Sequence, residues 1–372
     1  MPQGQPKPKT LRATLAGEAD TVADLMRRMD WAALEIVLVV DAQGRLAGTV
    51  TDGDIRRAIL KGLDLSTPAS AVMNRKPIAV EAHTPRAEAL RIMRRFGIRH
   101  LPCLDACGRP VRLEMLDGMA DQTDAPSAVI MAGGLGQRLR PLTENTPKPM
   151  LKVADRPILD HILGSLRQSG IRDVVISVNY LADRIREHIG DGAGHDLNVN
   201  YVSETKRLGT AGALALLAPR PRSAFLVMNG DLLTGVNFAS LFRFQKRTGH
   251  DLVVCVRRHS TTVPYGVLEI AGGRVVALKE KPTLDFFINA GIYVVEPHCL
   301  DLIEPESHCD MTDLIQKAMD RGFSVGAFPI IEYWRDIGSP EDYARANAER
   351  MNVESRVEMP AFGAATPAEV AE

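Results

Sequence analysis

Cysteine is sparse in this 372-residue chain, aromatic residues make up 5%, and the formal net charge is only −1. Each shortage excludes something. Five scattered cysteines with no Cys-x-x-Cys spacing do not read as a disulfide framework and fit reduced thiols in a cytoplasm. Without net charge, no global field draws the chain to nucleic acid or to an anionic membrane, so any anion must be held locally. No apolar run approaches the roughly 20 residues of a membrane span. The opening "MPQGQPKPKT" is basic but lacks the apolar stretch of a secretory signal. These absences point to a cytoplasmic protein with no nucleic-acid and no membrane partner.

What is present is an ordinary globular mixture, 45% hydrophobic and 24% charged, over a length that suits two or three domains. His298-Cys299 and His308-Cys309 offer zinc-ligating residue types. Adjacent side chains rarely share one metal, so this spacing reads as incidental.

The first 120 or so residues contain an imperfect repeat. Asp41-Ala42-x-Gly44-Arg45 returns as Asp105-Ala106-x-Gly108-Arg109, an offset of 64 (105 − 41). An amphipathic helix precedes each copy, "TVADLMRRMDWAAL" and "RAEALRIMRRFGI", and a strand, a Gly turn and a second strand follow. Units of this size bury too little core alone and are expected to pack as a pair.

The repeat resembles a tandem CBS-domain pair. In the first copy, "GTVTDGDI" is similar to that family's adenosine-nucleotide motif. The resemblance implies a regulatory nucleotide, with Thr51 on phosphate and Asp54 on ribose hydroxyls. Asp54 equally reads as the cap of the helix "DIRRAI", and the two roles are compatible. In the second copy Glu114, Met115 and Leu116 surround the one matching acid, Asp117; a carboxylate there would repel phosphate, so a second site is expected to be weak or empty. CBS pairs usually associate, which implies a homo-oligomer.

After a polar, turn-rich linker at "DQTDAPSA" (121–128), strands and amphipathic helices alternate. "AVIMA", "DVVISVN", "LNVNYVSE", "AFLVMNGD" and "DLVVCVRR" read as strands; "RPILDHILGSLRQSGI", "LADRIREHIG" and "FASLFRFQKRTG" read as helices. That grammar predicts an α/β fold, Rossmann-like, with a doubly wound, mostly parallel sheet. The CBS pair would form an N-terminal α+β unit. Such sheets bind ligands at the carboxyl ends of their strands, which singles out the loops after Ala132, Glu204 and Gly230. Residues 1–122 are expected to form the regulatory unit, 127–351 the catalytic one, and 352–372 a disordered tail.

The loop after the first of these strands reads "MAGGLGQRLRPLTENTPKPML" (131–151). Gly133, Gly134 and Gly136 carry no side chain, so their backbone N–H groups can approach a phosphate closely. No Gly-Lys-Ser/Thr follows, and the third glycine of G-x-G-x-x-G is missing. Arg138 and Lys148 supply positive charge, and prolines 147 and 149 stiffen the backbone that presents the lysine.

This string resembles the signature of sugar-1-phosphate nucleotidyltransferases, GGxGxRLxPLT…PKPxL, over about 220 residues. Carried over position by position, Ala132 and the glycines cradle the nucleotide, Arg138 contacts its phosphates, and Lys148 faces the reacting phosphate. "ETKRLGTAGAL" places Glu204, Gly209 and Thr210 at base- and nucleotide-binding positions. Asp231 of "NGD" and Asp336 of "WRDIGSP" become the Mg²⁺ carboxylates, hard oxygen ligands for a hard cation. Tyr265, Gly266, Glu280, Asn289 and Gly291 fall at sugar-binding positions, and Lys281 meets the sugar phosphate.

The implied chemistry is in-line attack of a sugar 1-phosphate oxygen on the α-phosphorus of a nucleoside triphosphate, with pyrophosphate leaving. Both reactants are anionic, so charge repulsion and positioning dominate the barrier. Glu204 is acceptor-only and suits the two donors of guanine, which points to GTP. The CBS fusion resembles the glucosamine-1-phosphate guanylyltransferases of legionaminic acid pathways. A uridylyl- or other nucleotidyltransferase for mannose, heptose or glucose phosphate is the alternative within the class. A nucleotide sensor without turnover is the alternative outside it.

Overall fold

Residues 11–32, 34–116 and 126–355 are described by the computed structural model, which divides the chain into two units, 1–123 and 124–372. The expectations for Asp117, for 121–125 of the linker and for 356–372 of the tail lie outside the described residues. Among those described, no helix is long and apolar enough to cross a membrane.

In the first unit the repeat recurs element by element. Helix Val22–Ala32 becomes Arg86–Phe96, strand Ile36–Val40 becomes His100–Leu104, and Leu46–Thr51 becomes Pro110–Met115. Each copy forms a three-stranded sheet with one parallel and one antiparallel pairing. Asp41 Oδ1 accepts from the N–H groups of Gln43 (2.9 Å) and Arg45 (2.8 Å), and Asp105 repeats this with Cys107 and Arg109 at the same distances. Gly44 and Gly108 sit at φ +77° and +78°, a left-handed conformation that favours glycine. The two turns meet: Leu46 N–H donates to the Gly108 carbonyl at 2.9 Å, and Arg109 Nε to that of Gln43 at 3.1 Å.

Thr51 and Asp54 form a reciprocal cap on helix Asp52–Leu60. Thr51 donates to Asp54 Oδ2 from its N–H at 2.8 Å and its hydroxyl at 2.6 Å, while Arg57 takes Oδ1. Thr21 and Asp24 make the same arrangement at helix Val22–Ala32, so the reciprocal cap recurs within the unit. Glu114 departs from expectation. It is buried, with Arg112 Nη1 at 2.9 Å and Arg86 Nε at 3.9 Å, so its charge is neutralised within the unit instead of facing a phosphate.

The second unit is built on a seven-stranded sheet. Its strands are β1 (Ser127–Met131), β2 (Asp173–Val178), β3 (Asn198–Ser203), β4 (Phe225–Asn229), β5 (Leu252–Thr262), β6 (Thr283–Val295) and β7 (Val325–Pro329). Their spatial order is β3-β2-β1-β4-β6-β5-β7. Only β6 runs antiparallel to its neighbours, so the sheet is mostly parallel, as its alternating strands and helices predict.

Successive residues of the central strands feed two separate cores. Ala128, Ile130, Leu226 and Met228 face one; Val129, Phe225 and Val227 face the other. That alternation is the period of a strand buried on both sides. Helices α1 (Ile158–Gln168), α2 (Ala182–Ile189) and α3 (Phe238–Thr248) cover the first face. Helix α4 (Met311–Asp320) and the segment around Leu214 cover the second. Helix α1 buries Ile158, Leu159, Ile162, Leu163 and Leu166, a stripe at helical spacing worth roughly 1.5–3 kcal/mol per residue. A last helix, Pro340–Ser355, runs past the expected boundary at residue 351.

The strand order reverses between β1 and β4. Loops leaving their carboxyl ends diverge there and open a crevice, the place where open α/β sheets bind ligands.

Candidate active site

β1 ends at Met131, whose carbonyl accepts from Gly230 N–H at 2.9 Å, while Ala132 N–H donates to the Ser177 carbonyl at 2.8 Å. The β1 and β4 loops are thereby fixed side by side. A Cβ on Gly133 would lie 2.8 Å from Glu204 Oε1, and one on Gly136 (φ +60°) 2.9 Å from Thr143 Cγ2. A side chain at Gly133 would push against the Glu204 carboxylate, and one at Gly136 would be strained by its positive φ. Gly134 has open space before it, which leaves its backbone accessible.

A cavity of about 290 Å³ lies at this switch point. Ala132, Gly133 and Gly134 line one wall and Lys148 and Asp231 another; Glu204, Gly209 and Thr210 close it. Thus eight of the residues singled out in the sequence converge on one cavity. Arg207, Asn229 and His308 also line it and were missed. The first two stand inside the quoted strings "ETKRLGTAGAL" and "NGD", whereas His308 stands out in the sequence only through the His308-Cys309 pair, whose spacing reads as incidental.

Lys148 sits on a short 3₁₀ turn, Lys148–Met150, behind Pro147. Its Nζ donates to Asp231 Oδ2 and lies 3.8 Å from Asp336 Oδ1. Asp231 therefore has a basic partner, although its own "NGD" string contains none. Asp231 and Asp336 are joined by strand pairing, because Leu232↔Asp336 is the first register pair of Leu232–Thr234 with Trp334–Asp336. Partial desolvation of a carboxyl whose side chain stays 49% exposed, and next the Asp231 charge, raise Asp336 above its ordinary value; Lys148 and Arg138 oppose the shift. The other Asp231 oxygen, Oδ1, is buried without a hydrogen-bond partner. Two adjacent carboxylates, one raised by the other and one with an orphaned oxygen, fit a divalent cation.

Glu204 is anchored by the protein itself: Oε1 accepts from Ser177 Oγ at 2.8 Å and Oε2 from Leu208 N–H at 3.2 Å. A carboxylate has about four acceptor positions, so each oxygen keeps capacity for a ligand donor. Thr210 is more committed. Its hydroxyl donates to Asp310 Oδ1 at 3.2 Å and accepts from Met311 N–H at 2.8 Å, tying the segment Gly209–Gly212 to the start of α4. Gly209 takes φ +80°, and a Cβ there would meet the Cys309 carbonyl at 2.6 Å.

The remaining predicted residues do not line the cavity. Arg138 is exposed on the 3₁₀ turn Gln137–Leu139, near enough to Asp336 to influence its carboxyl. Gly291 (φ +70°) approaches Asn229 so closely that a Cβ would lie 2.7 Å from Nδ2, and Asn289 Oδ1 accepts from Gly291 N–H at 3.0 Å. Gly266 lies against Glu280, 3.0 Å from the position of a Cβ to Oε2. Tyr265, Glu280 and Lys281 are exposed at the ends of the paired strands Val267–Ala271 and Arg274–Lys279.

The two His-Cys pairs show other engagements. His298 Nε2 is 2.9 Å from Asp251 Oδ1, and burial pushes the Cys299 thiol up to about 12. Burial raises Cys309 as well. Thiols held protonated are poor metal ligands.

An open α/β sheet thus carries a glycine-rich loop, a lysine and a carboxylate pair at its switch point, where such sheets bind ligands. Residues 127–352 match the family described as "Nucleotidyl transferase", and the chain belongs to it; residues 9–61 and 69–112 match the CBS domain. It is 35% identical over 234 residues to a protein named mannose-1-phosphate guanylyltransferase from Mycobacterium tuberculosis, covering 61% of this chain and 65% of that one. To a mannose-1-phosphate guanyltransferase of Schizosaccharomyces pombe it is 33% identical over 226 residues, covering 58% and 62%. The chain thus spans just under two thirds of these relatives' length. A Bacillus anthracis crystal structure, described as a glucose-1-phosphate thymidylyltransferase, shares the fold. Its TM-score is 0.51 at 24% identity, over 60% of this chain and 95% of that one.

Proposed function

We propose that the second unit is a sugar-1-phosphate guanylyltransferase, joining a sugar 1-phosphate to GTP with release of pyrophosphate. The carrying observation is the convergence of the glycine loop, Lys148 and Asp231 at one cavity, with Asp336 Oδ1 3.8 Å from the lysine Nζ beside it. A sugar-phosphate oxygen forms a bond to the α-phosphorus, the bond to the β-phosphate oxygen breaks, and pyrophosphate carries away the electron pair. Gly133 and Gly134 hold the triphosphate through backbone N–H groups. Lys148, which neutralises Asp231 in this structure, is placed to move to the phosphate when that carboxylate is engaged otherwise. Arg138 and Lys281 add charge from outside the cavity. Asp231 and Asp336 would hold Mg²⁺, which supplies neutralisation at the reacting phosphate when bound. No covalent nucleophile is required.

Guanine selection is assigned to Glu204, beside Gly133 at the cavity. Tyr265, Gly266, Glu280, Asn289 and Gly291 are assigned to the sugar. Both relatives are named for mannose 1-phosphate, which supports that sugar here; the CBS fusion favours glucosamine 1-phosphate as the second reading. Pyrophosphate release, measured with four triphosphates against mannose, glucosamine, glucose and heptose 1-phosphates, tests both choices. Equal kcat/KM for GTP and UTP rules out the guanine assignment.

For the CBS pair, the reading is regulatory nucleotide binding through Thr51 and Asp54 within a homo-oligomer. It rests on the "GTVTDGDI" segment, because the Asp54 carboxylate already caps its helix and pairs with Arg57. Calorimetry on the full chain tests it: nucleotide heat lost in Asp54→Ala supports the site, and unchanged heat removes it.

A further inference from the structure

Asp160, His188 and His195 come together on a face the reaction does not use. Asp160 lies in the first turn of α1, His188 in the last turn of α2, and His195 on the short 3₁₀ helix Ala193–His195. His188 Nε2 is 3.0 and 3.2 Å from the two Asp160 oxygens, and His195 Nε2 is 3.9 Å from Oδ1. One ligand atom from each residue falls within 4.8 Å of the other two. A tetrahedral metal with bonds of about 2.0–2.1 Å would place its ligand atoms roughly 3.3 Å apart; Asp160 and His188 already stand near that spacing, and His195 would draw in from 3.9 Å to Asp160 Oδ1.

A plain His–Asp hydrogen bond would require only His188. The second imidazole arrives over a turn that is itself rigidly made. Gly190 and Gly192 take φ +60° and +88°, and a Cβ on Gly192 would lie 2.5 Å from Val199 Cγ2. Tyr201 OH donates to the Gly190 carbonyl at 2.7 Å, and Leu197 N–H to that of Gly192 at 3.1 Å. The Asp160 and His195 side chains are 13% and 19% exposed, so both are partly desolvated and held in place. Asp160 and His188 also line a groove of about 750 Å³ that includes Pro147, Met150, Arg184 and Glu187, which leaves room for a further ligand such as water.

We propose that Asp160, His188 and His195 form a binding site for a zinc-class divalent cation, distinct from the carboxylate pair of the catalytic cavity. Two imidazoles with one carboxylate select a borderline transition metal over magnesium, which prefers oxygen ligands alone. The cation joins α1, α2 and the turn after α2. Helix α1 in turn holds the chain following Lys148: Ile158 N–H donates to the Leu151 carbonyl at 3.0 Å, and His161 Nε2 lies 2.9 Å from that of Val153. The site would therefore brace α1 behind the lysine turn, through a groove that shares no residue with the catalytic cavity.

The test uses full-length protein stripped by a chelator. Zn²⁺ is titrated by calorimetry, Co²⁺ by its visible absorption, and the thermal midpoint is followed with and without Zn²⁺. Wild-type protein should bind about one tight equivalent and gain several degrees in midpoint, since binding to the folded state alone stabilises it. His195→Ala keeps the Asp160–His188 contact, so its metal-free midpoint should match wild type. Its Zn²⁺ affinity should fall by at least about tenfold, with loss of the Co²⁺ bands. Should His195→Ala lower the metal-free midpoint, His188→Gln is read the same way. No uptake by wild type overturns the proposal. So does unchanged uptake by both variants, which would place the metal elsewhere, for example at His308, Asp310 and Asp313, whose two carboxylates also cap α4.

Discussion

Lys148 Nζ donates to Asp231, the carboxylate proposed above to hold the cation, so lysine and cation would compete for it. On the proposed reaction, removing the lysine would take away one charge that stabilises the transition state but leave both carboxylates in place. Lys148→Ala should lower kcat roughly a hundredfold, about 2.7 kcal/mol, in protein whose circular dichroism is unchanged; turnover near wild type would remove Lys148 from the chemistry. Asp336 makes the opposite prediction about stability. Its carboxyl is raised above the ordinary 3.8, so its ionisation works against folding once pH rises through the raised value. Asp336→Asn should therefore have a higher thermal midpoint than wild type at pH 7 in excess chelator. It should also lack the midpoint gain that Mg²⁺ is expected to give wild type. A lower midpoint in chelator would contradict the burial and Asp231 repulsion assigned to that carboxyl.

Among the elements, the Gly209–Gly212 segment is tightly constrained. Its glycine at 209 faces the Cys309 carbonyl in a left-handed conformation, so Gly209→Ala should destabilise the chain by more than about 1 kcal/mol, read from chemical denaturation. In the first unit, strand His100–Leu104 carries a pH-dependent contribution. Burial, and next the charge of Arg99, push His100 down from 6.5 to about 4. The unfolded chain takes up that proton near pH 6.5 while the folded one resists until about pH 4. Stability is thus full above pH 6.5 and is lost as pH falls through that window. His100→Leu should flatten the dependence of the thermal midpoint between pH 6.5 and 4.

The glycine loop and the alternation of strands and helices were legible because both are local: a turn and a period are written in neighbouring residues. Strand β6 shows the limit, since a buried apolar run has the same pattern whether it runs parallel or antiparallel. Asp336 could be joined to Asp231 only through family resemblance, because the strand pairing that unites them spans about a hundred residues. His308 and the Thr210–Asp310 tie were illegible for the same reason. Asp54 was legible twice over, as cap and as ligand, and the structure displays the cap.

At the scale of the whole molecule, a nucleotidyl transferase unit follows a CBS pair in one chain. The central claim is that the cavity between the β1 and β4 loops transfers a guanylyl group to a sugar 1-phosphate. The most direct measurement is coupled detection of pyrophosphate and nucleotide-sugar from GTP, Mg²⁺ and mannose or glucosamine 1-phosphate, with Asp231→Asn run beside wild type. The account predicts both products in equal amounts from wild type, and neither from a folded Asp231→Asn. Wild-type protein that binds GTP but yields no nucleotide-sugar with any sugar phosphate of the panel would contradict it and leave a nucleotide sensor in place of an enzyme.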